Sequence, residues 1–268
     1  MNDQTLTFFG LKHAPFSKDI PDTDLWIPPS KEELLGEIRD AILAHESATL
    51  TGDPGVGKTC VLRALRNSIS PREYRLTYCA NVTLGRRDFY RQLCFALGLT
   101  ASSTAGAVFH AVATHVQETG RDRLHHPVFL LDEAHLLHQD TLDHLHILLN
   151  YEWDSQPLLS LVLIGLPELN ERLALRRNRS LYSRLHRRLH IDPLTSDDTG
   201  AYLRMRMARA GCDREVFSSD AITMIHEAAA GAMRETDRLA HAALRETARR
   251  KKKLVERDSV QRLLAAAA

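Results

Sequence analysis

The sequence lacks the features that mark disulfide-rich, secreted and membrane-spanning proteins. Its four cysteines stand far apart without a C-x-x-C pair, so neither a disulfide framework nor a cysteine zinc site is expected. No apolar run approaches the roughly 20 residues that a membrane-spanning helix needs. The first residues lack the basic start and apolar stretch of a signal peptide. We therefore expect a cytoplasmic protein that has no membrane partner.

The sequence also lacks an excess of charge of either sign, with 35 Lys and Arg against 34 Asp and Glu. This balance excludes a polycation that binds nucleic acid through its overall charge. The distribution is uneven, because residues 1–48 hold four basic and nine acidic side chains, whereas residues 171–214 hold eleven arginines and five acids. Any contact with nucleic acid must then be made by local patches.

The order of predicted elements divides the chain into three parts. Residues 1–45 comprise an irregular arm rich in proline and aromatic residues, then a helix that a capping box at Ser30 and Glu33 would open. Apolar strands alternate with helices in residues 46–193, which is typical of an α/β core with a mainly parallel sheet. Residues 194–268 contain four helical segments and no strand, which indicates a small helical domain. Within the core, Gly98 and Gly120 are each expected to end a helix.

The first candidate binding motif is a glycine-rich loop between a predicted strand and a predicted helix. The loop matches G-x-x-x-x-G-K-[ST] in full and comprises Gly52, Asp53, Pro54, Gly55, Val56, Gly57, Lys58 and Thr59, with Cys60 next to it. In such a loop the backbone N–H groups point at phosphates, and the helix N-terminus adds its positive dipole end. Lys58 would contact the β- and γ-phosphates, and the Thr59 hydroxyl would bind Mg²⁺.

The matching second half is an apolar strand from Pro127 that ends in two adjacent carboxylates. Asp132 would hold Mg²⁺ together with Thr59, and Glu133 would orient and polarise the attacking water. The two halves together predict a P-loop nucleoside triphosphatase that uses ATP and Mg²⁺.

Other interpretations of these motifs are weaker. Asp132 to His135 spells the DEAH string of helicases, but such an enzyme needs a second RecA-like domain, for which the chain is too short. His135, His138, His144 and His146 show no spacing typical of a zinc site. The basic run 249–253 is either a solvated helix end or a DNA clamp.

Several further motifs resemble the AAA+ ATPase superfamily, and within it the ExeA-like branch. The opening F-F-G-L at Phe8 to Leu11, followed by Pro15 and Phe16, is similar to the arm of that branch. The G-L-P-E-L string from Gly165 to Leu169 is similar to its G-x-P-E-L pattern. The branch includes transposition helpers of the TnsC and TniB kind, with MuB and IstB as functional cousins. The resemblance implies an AAA+ core and a helical C-terminal lid.

The resemblance also implies roles for residues outside the two phosphate motifs. Asn81 corresponds to a polar switch that restrains the catalytic glutamate. Arg184 corresponds to an arginine finger that enters the neighbouring subunit's site, although Arg187 and Arg188 remain alternatives. Arg234 corresponds to the sensor-2 arginine that reaches the γ-phosphate.

Two positions depart from the family pattern. Leu166 stands where the family usually has a sensor-1 glutamine, and leucine cannot donate a hydrogen bond to a phosphate. Met233 stands where the family usually has proline. The first departure predicts hydrolysis that is slow or that a partner stimulates.

The family resemblance leads to one main functional expectation and two alternatives. The protein would assemble with itself on duplex DNA as a ring or a helical filament, grip backbone phosphates through Arg86 and Arg87, and recruit a transposase. One alternative is an ExeA-type ATPase of secretion-machinery assembly, whose members carry a transmembrane segment and a cell-wall-binding domain that this sequence does not contain. The other alternative is a nucleotide-gated scaffold that barely hydrolyses ATP, which Leu166 would favour.

Overall fold

The computed structural model describes residues 3–80, 83–121 and 125–267, and the chain divides into two compact units. The unit named here the sheet unit comprises Leu34–Gly52 and Leu62–Ile191. The helical unit comprises Met1–Glu33, Asp53–Val61 and Asp192–Ala268. The phosphate-binding loop therefore groups with the arm and the C-terminal helices. The division into 1–45, 46–193 and 194–268 stays a prediction.

Five parallel strands form the sheet in the order β2-β3-β4-β1-β5, which confirms the predicted parallel α/β core. The strands are β1 (Ser47–Thr51), β2 (Tyr74–Cys79), β3 (His126–Leu131), β4 (Ser160–Gly165) and β5 (Leu185–His190). Every residue of β1, β3 and β4 is buried, because each of these strands lies between two neighbours in the sheet. β3 and β4 are mainly apolar, whereas β1 buries three hydroxyl residues, Ser47, Thr49 and Thr51. The edge strands β2 and β5 expose several residues each.

Helices follow or precede each strand along the chain. They are α1 (Asp3–Phe9), α2 (Glu32–Leu43), α3 (Lys58–Ser68), α4 (Arg86–Leu97), α5 (Ala105–Arg121), α6 (Gln139–Leu148), α7 (Glu168–Ala174), α8 (Arg179–Tyr182), α9 (Ser196–Arg209), α10 (Ser219–Ala229), α11 (Met233–Arg249) and α12 (Arg257–Ala267). The last four confirm the helical character predicted beyond Pro193. In the sheet unit, α4, α5 and α6 pack against β3 and β4 in one core that contains Phe89, Tyr90, Phe129 and Leu163.

The two glycines expected to end helices behave differently. Gly98 ends α4 with a left-handed φ of 76°, as predicted. Gly120 does not end α5, which continues to Arg121. A Cβ on Gly120 would lie 3.1 Å from the Cβ of Leu158, so this glycine permits close packing and does not terminate the helix.

The N-terminal arm packs into the core of the helical unit. Phe9 and Phe16 are buried there among residues of α9 to α12. Arg206, which is only 4% exposed, fixes the arm to α9 because its guanidinium donates to the carbonyls of Pro15 and Ser17. The expectation of a wholly irregular arm is wrong, since residues 3–9 form α1.

The predicted capping box at Ser30 is also wrong. The Ser30 hydroxyl donates to the Asp198 carboxylate, and a 3₁₀ turn at Pro29–Lys31 precedes α2. A complete capping box forms instead at the start of α9, where Thr195 and Asp198 bond each other's backbone amides.

Two further properties of the described residues bear on the sequence expectations. All four cysteines are free thiols. No helix in the described ranges combines the length and the apolar character needed to cross a bilayer.

Candidate active site

The predicted site residues are divided between the two units, and each set is described within its own unit. The helical unit holds the loop from Asp53 together with Arg234, and the sheet unit holds Gly52, the carboxylate pair and Arg184. Asn81 lies outside the described residues, so its predicted role as a switch stays a prediction.

The loop in the helical unit has the backbone shape that a phosphate cradle requires. Gly55 and Gly57 have φ values of 82° and 106°, which residues with a Cβ rarely adopt. Lys58 Nζ donates to the Asp53 carbonyl at 3.0 Å, so the lysine folds back over the loop. Thr59 is exposed in the first turn of α3. The glycines, the ammonium group and the helix N-terminus together fit an anionic phosphate.

The start of α11 packs directly on this loop. The Arg234 amide donates to the Gly55 carbonyl at 3.2 Å, and the Arg234 side chain is exposed. A Cβ on Gly57 would lie 2.8 Å from Met233 Sδ, so the Met233 side chain would have to move to admit one. Cys60 packs beside the same cluster, next to Met233 and Tyr202. Arg234 is therefore beside the phosphate loop, where a sensor-2 arginine is expected, and Met233 fills the place of the family's proline.

The sheet unit supplies an edge at which three strand ends meet. The carboxyl ends of β1, β4 and β3 lie side by side because these neighbouring strands are parallel. The Gly52 amide donates to the Gly165 carbonyl at 3.2 Å, which joins the end of β1 to the end of β4. Asp132 follows β3 directly, as predicted.

Asp132 is 8% exposed and is held by two hydrogen bonds. Its Oδ2 accepts from the Tyr78 hydroxyl at 2.7 Å, and its Oδ1 accepts from the Glu133 amide at 2.9 Å. Partial desolvation of the phenol, together with the bond to Asp132, raises the pKa of Tyr78, so the phenol stays protonated and keeps donating. A fixed carboxylate with unused lone pairs fits a hard cation such as Mg²⁺. Tyr78 was missed from the sequence, because only the pairing of β2 with β3 brings it to this edge.

Glu133 has an unusual backbone and an exposed side chain. Its φ of 54° lies in the left-handed region, which is uncommon for a glutamate and is one of the features that cluster at active sites. The carboxylate is 51% exposed, and its Oε2 lies 3.5 Å from His135 Nδ1. This geometry leaves the carboxylate accessible to a water molecule, as its predicted role requires.

Arg184 directly precedes β5, as predicted, and is paired within its own chain. It donates to Asp154 Oδ2 at 2.7 Å and to the Ser180 carbonyl at 3.0 Å. The two alternative arginines have other partners. Arg187 donates to Glu46 at 3.0 Å, whereas Arg188 lies 3.9 Å from the centre of the Tyr182 ring.

The turn that carries Asp154 is strained and exposes a tryptophan. Glu152, Trp153 and Asp154 have φ values of 48°, 60° and 66°, and the Trp153 side chain is 100% exposed. The turn is held by Gln117, which donates to Glu152 at 3.1 Å, and by the ion pair to Arg184. No sequence pattern singled out this turn.

The candidate DNA residues also have defined surroundings. Arg86 and Arg87 are exposed in the first turn of α4, where the positive helix dipole disfavours cations. The basic run is largely engaged locally, because Arg250 pairs with Glu246, Lys252 pairs with Glu256, and Lys253 lies 3.9 Å from the centre of the Phe8 ring. These contacts favour the interpretation of the run as a helix end.

A family model described as "AAA domain" matches residues 21–173. The chain is also 32% identical over 243 residues to general secretion pathway protein A of Aeromonas hydrophila. That match covers 88% of this chain but only 44% of the relative, so the chain spans less than half of that protein's length.

Two solved structures show the same fold at low sequence identity. A chain of the structure of Drosophila ORC bound to DNA gives a TM-score of 0.69 at 21% identity, over 99% of this chain and 66% of that one. The Aeropyrum pernix ORC1 protein in complex with DNA gives a TM-score of 0.67 at 22% identity, over 94% and 68% of the respective chains. The likeness is one of fold, and it confirms the predicted P-loop α/β core.

Proposed function

The chain belongs to the AAA domain family. From this membership and from the sequence resemblance described above, we propose that it is an ATP-dependent, DNA-binding helper of transposition. The family membership makes it an ATPase that uses ATP with Mg²⁺. The proposal adds three partners, namely further copies of the same chain, duplex DNA and a transposase.

The surface around Arg184 is the observation that carries the proposal of self-assembly. Arg184, the proposed arginine finger for a neighbouring subunit, pairs with Asp154. Asp154 lies on a strained turn next to Trp153, whose side chain is fully exposed. Large exposed aromatic side chains are enriched at protein interfaces, where their burial contributes most of the binding energy. A second copy of the chain that covered Trp153 would come close to Arg184.

Two observations support the proposal of DNA binding. Arg86 and Arg87 lie in the first turn of α4, where the positive end of the helix dipole favours an anion over a cation. DNA phosphates bound there would compensate the charges of the two arginines and the dipole. Two solved structures of the same fold are complexes with DNA. Since the arginines would contact backbone phosphates, binding would not depend on sequence.

The proposal of a transposase partner rests on the sequence resemblance described above. In that proposal ATP binding assembles subunits on target DNA, the assembly recruits the transposase, and hydrolysis disassembles it. Because Leu166 stands where the family usually has a sensor-1 glutamine, we expect the hydrolysis that disassembles the subunits to be slow.

Electron microscopy and sedimentation with duplex DNA and a non-hydrolysable ATP analogue test the proposal. We expect rings or filaments on DNA that need both DNA and the analogue. The Lys58→Ala variant should remain unassembled, since it loses the phosphate-binding ammonium group. Monomeric protein under all these conditions would overturn the proposal.

A second candidate function is an ATPase of a secretion pathway, which the identity to general secretion pathway protein A favours. The same assembly experiment separates the two functions. Assembly that needs the ATP analogue but not DNA, and that is unchanged in the double variant Arg86→Ala with Arg87→Ala, would support the secretion role and contradict the transposition role.

A further inference from the structure

His135 lies between the carboxylate predicted to activate water and the end of β4. Its Nδ1 accepts a hydrogen bond from the Leu166 amide at 3.3 Å. The same Nδ1 lies 3.5 Å from Glu133 Oε2. The side chain is 13% exposed, so the ring is held mainly by protein and not by solvent.

The backbone around His135 is fixed on two sides. Arg172 of α7 donates to the carbonyls of His135 and Leu137, the latter at 2.7 Å. At the end of β4, a Cβ on Gly165 would lie 3.1 Å from the His135 amide nitrogen and 3.2 Å from Nδ1. The glycine of the G-L-P-E-L string thus permits the histidine to approach the strand.

Nδ1 of His135 cannot accept a hydrogen bond from the Leu166 amide and donate one to Glu133 at the same time. When Nδ1 carries no hydrogen it accepts from the Leu166 amide, and its lone pair does not bind a carboxylate. When Nδ1 carries the hydrogen it donates to Glu133, and the bond to Leu166 is lost. The two arrangements therefore exclude each other.

We propose that His135 is a positioning residue that couples the end of β4 to Glu133 by exchanging these two partners. In the described arrangement Nδ1 accepts from the Leu166 amide, and Glu133 Oε2 lies 3.5 Å from the same nitrogen. When nucleotide binding shifts the end of β4, the Leu166 amide leaves and Nδ1–H donates to Glu133 Oε2. The carboxylate is then oriented toward the attacking water. This inference rests on the role of Glu133 in the proposed ATPase site.

The exchange balances without any added reactant. The neutral ring changes tautomer, because a proton leaves Nε2 to solvent and another is taken up at Nδ1. The charge of the ring is unchanged, and no bond other than N–H is formed or broken. The signal comes from the backbone amide of Leu166, so it does not need the side-chain amide of a sensor-1 glutamine.

Matched substitutions test the proposal through the ATPase reaction. Asparagine places an amide near the position of Nδ1, whereas glutamine places it near Nε2. We expect His135→Ala and His135→Gln to lower kcat about 10- to 100-fold, because a misplaced catalytic group is costly. The KM for ATP should stay nearly constant, and His135→Asn should restore most of kcat. His138→Ala removes an exposed histidine three residues away and serves as the control.

Nitrogen NMR of histidine-labelled protein tests the exchange itself without using a variant. We expect the hydrogen of His135 on Nε2 in the nucleotide-free protein, and on Nδ1 with Mg²⁺ and a non-hydrolysable ATP analogue. The same tautomer in both states would overturn the proposal, as would a His135→Ala kcat equal to that of the wild type.

If Glu133→Gln hydrolyses ATP normally, the role of Glu133 fails. If Glu133→Gln is inactive and His135→Ala is normal, only the role of His135 fails.

Discussion

Arg184 donates to Asp154 at 2.7 Å within a single chain, so the arginine predicted to act on a neighbour's nucleotide is held by its own subunit. Its side chain is 23% exposed, and Asp154 is 52% exposed. A pair this accessible to solvent contributes little to stability, on the order of 1 kcal/mol or less. A neighbouring subunit could therefore displace it at small cost, and the pair would keep the arginine away from nucleotide until assembly.

The first prediction concerns the release of this arginine. Asp154→Asn removes the charge and keeps the left-handed backbone, which asparagine tolerates well. We expect self-association with the ATP analogue at about two- to fivefold lower protein concentration, because a pair worth at most about 1 kcal/mol no longer competes. Sedimentation velocity over a concentration series measures the change. An unchanged association curve would show that the pair does not oppose assembly.

The second prediction identifies the arginine that acts on the neighbour. Arg184→Ala should abolish the ATPase activity that depends on assembly, since an arginine finger contributes about 10³- to 10⁵-fold to the rate. Arg187→Ala and Arg188→Ala are matched controls, because both residues lie on the adjoining strand β5. A loss confined to Arg188→Ala would transfer the role to that residue. Turnover as a function of protein concentration distinguishes the variants.

The position of Arg184 was predictable, but its ion pair was not. The resemblance places an arginine directly before the last strand, and β5 does begin at Leu185. Asp154 lies 30 residues earlier on a turn of three consecutive left-handed residues. No local propensity predicts three such residues without glycine, because tertiary contacts impose that conformation.

The third prediction separates an ATPase from a scaffold that only binds ATP. Glu133→Gln keeps the size of the side chain and removes its ability to polarise water. We expect kcat to fall about 10²- to 10⁴-fold while ATP binding persists, so that the variant stays assembled on DNA. Release of phosphate and retention on DNA are the two measurements. A variant with wild-type turnover and wild-type dissociation from DNA would favour the scaffold.

The fourth prediction concerns the two arginines at the start of α4. Replacing Arg86 and Arg87 by alanine should weaken ATP-dependent DNA binding equally for all sequences. The slope of log affinity against log salt should become less negative by up to about 1.8, for two lost phosphate contacts on duplex DNA. Arg249→Ala with Arg250→Ala is the control, because Arg250 is engaged by Glu246. An unchanged salt slope in the Arg86 and Arg87 variant would show that these residues do not contact DNA.

The fold was predictable where strands are buried on both sides and less so at the edges. The continuous apolar run of β3 and the glycine-rich loop carry strong local signals, and both lie where the sequence places them. The edge strand β5 reads Leu-His-Arg-Arg-Leu-His, and only its two leucines are buried, so it shows neither the alternation nor the continuous apolar run of a strand. The Tyr78 bond to Asp132 depends on the register of β2 against β3, which cannot be read from the local pattern of either strand.

The last prediction concerns the pH dependence of stability at the start of β3. His126 is 8% exposed, its ring stacks on His45 at 3.8 Å, and its Nε2 lies 2.8 Å from Ser160 Oγ. Burial, together with the charge of His45, lowers the pKa of His126 to about 3, whereas an unfolded histidine has a pKa near 6.5. Between these values the unfolded chain binds one more proton, so the free energy of unfolding falls by up to about 1.4 kcal/mol for each pH unit of acidification.

His126→Gln does not titrate and retains an amide near Nε2, so its urea midpoint should fall less between pH 7 and about pH 5. The exposed His138→Gln should behave like the wild type, and an equal acid slope in all three proteins would show that His126 does not control the acid sensitivity of the sheet unit.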